Sequence, residues 1–170
     1  MTTNKFLTLI NGVERLVQAI VASTGASDAN KLISTGANGR IDNSFMPVGI
    51  GAQTETIAAS EALTAGDFVN IYDNAGTRNV RKADASNGRE ANGFVLANVA
   101  NAANATVYIS GLNNAVTGVT IGRRYLSATT PGASTATPPS AASQTYQTLG
   151  YAVSTTGILF EYDAPIALDA

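Results

Sequence analysis

Apolar residues near the N-terminus recur at helical spacing. Phe6, Leu9, Val13, Leu16 and Ile20 are separated alternately by three and four positions, the seam pattern of a coiled coil. Leu7, Ile10, Val17 and Val21 widen this stripe on one flank. Residues 1–27 are therefore expected to form an amphipathic helix, with Gly12 inside it at a cost of about 1 kcal/mol relative to alanine. Five seam positions are too few for a helix that is stable alone, so the stripe needs cover. The cover could be other copies of the chain, the chain's own larger domain, or another protein. Self-association is the expectation, because the polar stretch STGASDAN follows and nothing forces the helix to fold back.

The pattern then breaks. In KLISTGANGRIDNSFMPVGIG, Gly36 and Asn38-Gly39 supply turn positions where positive φ is inexpensive. Ile41, Phe45 and Met46 are apolar beads on a polar background, and Pro47 restricts Met46 to extended backbone. Residues 28–51 read as an extended connector that docks its apolar beads into grooves of a neighbouring subunit or shell.

From residue 52 the period changes to two. DFVNIYD alternates Phe68, Asn70 and Tyr72 against Val69 and Ile71, while ATVYISG sets Val107 and Ile109 against Thr106, Tyr108 and Ser110. GFVLANV, YQTLGYAVS and GILFEYD read as further strands, and DNAG and SNG as hairpin turns. Seven to nine short strands are expected over residues 52–170. The fold class is mainly β: a small antiparallel barrel or sandwich preceded by a helix and a connector. TTPGASTATPPSAASQT, rich in proline, is expected to be an extended loop or contact arm.

Charge changes this picture. Charged residues make up 13% of the 170-residue chain, against about 25% in typical globular domains. From Ala91 to Phe160 the only charges are Arg123 and Arg124. Interface cores are depleted in Lys, Glu and Asp, so much of this span is expected to meet other subunits; the plainer alternative is a neutral surface rich in Asn, Thr and Ser. A net charge of −2 gives no footprint for nucleic acid. No stretch approaches the ~20 continuous apolar residues that cross a bilayer, so no membrane partner is expected. Asn11, Glu14, Arg15 and Gln18 interrupt the N-terminal apolar run, which argues against an export signal.

Candidate chemistry is sparse. Without cysteine or histidine, disulfides and the common zinc sites are excluded. Glu161 and Asp163 lie two apart and could act as an acid–base pair or calcium ligands, but an edge protected by charge is the expected role. YDNAGT lacks the ligand spacing of a calcium loop. Arg78, Arg81, Lys82 and Arg89 form the one basic cluster, a solvated face or a docking patch for an acidic partner. No catalytic fingerprint is present, so neither enzyme activity nor a cofactor is expected.

One resemblance adds a role. NGRIDNSFMPVGIG resembles the connector G-K-I-D-x-S-x-L-P of tailed-bacteriophage fibre and head-surface proteins, matching at Gly39, Ile41, Asp42, Ser44 and Pro47, with Arg40 for Lys and Met46 for Leu. Residues 35–168 as a whole resemble small β-domains of phage structural proteins. The resemblance implies a virion protein assembled in the host cytoplasm. In a chain that begins at Met and has no long repetitive shaft, the expected role is a capsid decoration (cement) protein. It would sit on the head surface as an oligomer, most simply a trimer, bound to the major capsid protein. A tail-fibre or baseplate component is the alternative. A non-catalytic carbohydrate-binding β-module comes third, since it would want exposed aromatics and the chain has no tryptophan and six tyrosines.

Overall fold

The computed structural model describes residues 5–46 and 52–169. The chain divides into two compact units, Met1–Gly51 and Ala52–Ala170.

The first unit begins with a β-hairpin, which replaces the expected N-terminal helix and coiled coil. Strand β1 (Lys5–Ile10) pairs antiparallel with β2 (Val13–Gln18), with Phe6 opposite Val17, Leu7 opposite Leu16 and Leu9 opposite Glu14. The turn decides the outcome. Asn11 and Gly12 both adopt positive φ, 53° and 79°, as a two-residue hairpin turn of the I′ kind requires. Asn-Gly is the strongest short-range hairpin signal, and in a helix the same glycine only costs stability. The seam of Phe6, Leu9, Val13 and Leu16 is thus divided between two strands. Ile20 lies beyond them, bridged in parallel to Ile33, with Ile20 N–H donating to Leu32 O at 2.9 Å and Ser34 N–H to Ile20 O at 2.9 Å.

Two 3-10 turns shape the rest of this unit. The first, Ala26–Asp28, is pinned by the Asp28 carboxylate, which accepts from Lys31 Nζ at 2.6 Å and Thr24 Oγ1 at 2.8 Å. The Lys31 contact, with those from Thr24, holds the Asp28 carboxyl down at about 2. The second turn, Asn43–Phe45, interrupts the expected extended connector. Asp42 caps it by accepting from Ser44 N–H at 2.9 Å, which lowers the Asp42 pKa. Ile41 and Met46 are exposed and Phe45 is half-buried; Pro47 lies outside the described residues.

The second unit is all β among its described residues. Strands β3 (Thr54–Ala59), β4 (Phe68–Asn74), β5 (Thr77–Lys82), β6 (Gly93–Val95) and β7 (Asn104–Tyr108) close a barrel in the order β3-β5-β4-β6-β7. The barrel is not purely antiparallel, because β3 runs parallel to β5. Next come β8 (Gly111–Asn113), β9 (Gly122–Leu126), β10 (Ser134–Thr135), β11 (Thr145–Tyr146), β12 (Thr148–Ser154), β13 (Gly157–Phe160) and β14 (Ile166–Ala167). Five of them form an antiparallel sheet in the order β10-β9-β12-β13-β8, and β11 pairs with β14. Twelve strands therefore stand where seven to nine were expected, and three of them are only two residues long. One short strand, β10, comes from the proline-rich stretch that was expected to be all loop. DNAG behaves as expected: Ala75 and Gly76 take positive φ and connect β4 to β5.

Period-2 alternation explains how this unit fills two cores. Val69, Val80, Val95 and Val107 project into the barrel with Ile57, Leu63 and Ala105. The neighbouring residues Phe68 and Phe94 point the opposite way and meet Phe160, Ile158, Leu149 and Leu126 from the second sheet. The three phenylalanine rings form a triangle with centroids 5.6–6.4 Å apart. Aromatic packing thus joins barrel to sheet.

Candidate functional site

The basic cluster is dispersed. Arg78 Nη1 lies 3.5 Å from Glu55 in an exposed pair, and Lys82 Nζ lies 3.2 Å from Asp67. Arg81 stands on the opposite face of β5, 3.9 Å from the Tyr72 ring centroid, and donates from Nε to Asn70 at 3.0 Å. Arg89 closes a turn by backbone pairing with Asp84. Among the described residues there is no group of three or more acidic side chains placed to hold a metal ion.

The two arginines of the charge-poor span part company. Arg124 is buried and donates to Ser134 Oγ, Thr120 Oγ1 and Ser134 O at 3.1–3.3 Å, and its burial lowers its pKa. Arg123 faces outward, opposite Tyr151 on β12, which in turn stands opposite Leu159 on β13 and then Leu112 on β8. This row crosses the outer face of the sheet. It opens into a cleft of about 420 Å³, also lined by Glu161, Tyr162 and Asp163. Strand β13 ends at Phe160, so the two carboxylates are not the strand-edge pair expected. They sit on the extended segment that follows a central strand.

Hydrogen bonds brace the lining of the cleft. Tyr162 donates its hydroxyl to Glu90 Oε2 at 3.0 Å, a bond that raises the Tyr162 pKa. The fully buried Gln147 side chain donates to Asp163 O at 2.9 Å and to Ala91 O at 3.0 Å, while accepting from Ala91 N–H at 2.7 Å. At Gly150 (φ 116°) the register of β12 against β9 shifts, and any Cβ there would collide with the Leu159 carbonyl. Glycine and a bulge at one strand position mark a close backbone approach. Sequence reading missed this cleft, although Arg123 was visible with Arg124 as one of the two charges between Ala91 and Phe160.

The other unusual surface is the hairpin. Phe6, Leu7, Leu9, Val13 and Leu16 are 42%, 64%, 67%, 56% and 67% exposed. Leu7 and Leu16 oppose each other on one face, Phe6 and Val17 on the other, so both faces are apolar. Among the described residues of this unit, Ala19 is the only buried apolar residue. A two-stranded hairpin is marginally stable in water, and the described residues of its own unit supply almost no core.

No family model matches the chain, and no curated protein or solved structure matches it significantly.

Proposed function

We propose that this chain is a non-catalytic structural protein that assembles in several copies, most simply as a trimer, on the outside of a larger particle. The reading rests on one observation: an N-terminal hairpin with apolar side chains exposed on both faces. Each large apolar side chain fully buried contributes about 1.5–3 kcal/mol, so covering Leu7, Leu9 and Leu16 on association is a substantial drive. The connector motif supports placing this assembly on a tailed-phage head, as a decoration protein bound to the major capsid protein. A protein that binds only the assembled shell stabilises it by mass action, and a trimer does so with avidity.

Light scattering over a range of concentrations tests the assembly step. The full chain, 17.4 kDa, is expected to give the mass of an oligomer, and Leu7→Ser/Leu16→Ser to shift it toward monomer. A full-length chain that stays monomeric at all concentrations overturns the reading.

A further inference from the structure

We propose that the cleft on the outer face of the β8–β13–β12–β9 sheet binds a sugar ring, through Tyr151 and Tyr162 as apolar platforms and Arg123, Glu161 and Asp163 as hydroxyl partners. Both tyrosines are about half exposed, 53% and 51%, and the exposed Leu159 lies beside Tyr151 in the same lining. A pyranose presents a C–H face that packs on an aromatic ring, and a rim of hydroxyls that need donors and acceptors. Tyrosine suits the first need, because its ring is apolar and its hydroxyl stays wet. The carboxylates accept from adjacent hydroxyls, and the planar guanidinium donates to ring or hydroxyl oxygens.

The charges narrow the ligand class. Two carboxylates against one arginine disfavour a phosphate or another compact anion. The arginine beside them, and the lack among the described residues of any group of three acidic side chains placed to hold a metal ion, disfavour a divalent cation. A neutral polyol uses both signs of charge at once. The volume, about 420 Å³, lies toward the lower end of the 300–1,000 Å³ typical of small-molecule sites.

The site is also pre-organised. The Tyr162 ring is fixed through Glu90, the backbone at Asp163 is fixed through buried Gln147, and Gly150 leaves part of the floor without a side chain. Fixing these groups before binding removes part of the ordering cost. Arg123 is the one outward-facing charge between Ala91 and Phe160, and it stands at the cleft. One guanidinium and two carboxylates beside two exposed tyrosines match a ligand of hydroxyls.

Saturation-transfer NMR on the full chain tests this, using the methyl pyranosides of glucose, galactose, mannose and N-acetylglucosamine as probes. Transfer to ring protons of at least one probe is expected. Tyr151→Ala should weaken it by about tenfold. Glu161→Gln, a substitution at an exposed position, should weaken it several-fold with an unchanged melting temperature. No transfer from any probe, or transfer undiminished in both variants, overturns the proposal. Loss of self-association in Tyr151→Ala without any sugar transfer would also overturn it, and would assign this face to a second copy of the chain.

Discussion

Phe160→Ala is expected to destabilise the β-domain by about 3–5 kcal/mol, the range for truncating a fully buried phenylalanine. The ring has no solvent exposure and lies 5.6 Å from Phe68 and 5.9 Å from Phe94. Those two rings belong to barrel strands, whereas Phe160 ends β13 of the second sheet. Truncation therefore opens a cavity at the seam between them, where neither sheet can collapse without dragging its hydrogen-bonded neighbours. Domains of this kind are stable by only about 5–15 kcal/mol, so the loss is about a fifth or more of the total. Urea unfolding followed by tyrosine fluorescence measures it as a lower midpoint at constant slope. A change below about 1 kcal/mol would mean that Phe160 is not part of a packed junction.

Gln147→Leu should be nearly as damaging although it keeps the side-chain volume. Leucine would fill the space but leave Ala91 N–H, Ala91 O and Asp163 O without their present partner. Each buried polar group left unsatisfied costs about 1–3 kcal/mol, so a net loss of about 2–4 kcal/mol is expected after partial relaxation. Hydrogen exchange at Ala91 gives the specific signature, because its amide now donates to Gln147 in a fully buried setting. Faster exchange at Ala91, with barrel amides such as Val80 changed only by the global loss, would confirm that the amide–backbone clamp holds this region. Unchanged stability would show that the three bonds contribute nothing net.

The β-domain was readable because its strands face two different media. In β7 Ala105 and Val107 are buried while Asn104 and Thr106 are exposed, and Asp73-Asn74-Ala75-Gly76 announces its turn in composition alone. The N-terminal hairpin was not read correctly, for the opposite reason. With Leu7 and Leu16 on one face and Phe6 and Val17 on the other, polar–apolar alternation is erased, and Phe6, Leu9, Val13, Leu16 and Ile20 fall by chance into three-four spacing. Asn11-Gly12 carried the right answer, but Gly12 was weighed alone, as a helix defect. Barrel closure through the parallel β3–β5 pair has no local signature, since the partners are joined only in three dimensions. The cleft was hidden in the same way. Arg123, Tyr151 and Tyr162 come from three separate segments, and Gln147 reads as an ordinary polar residue until its burial is known.

Electron cryomicroscopy of the particles that carry this chain tests its proposed role most directly. Head decoration predicts repeated density on the outer shell at local threefold axes, three copies to a site, with the hairpins covered at the contacts. Density confined to the tail apparatus, or particles without the chain on their surface, would contradict it.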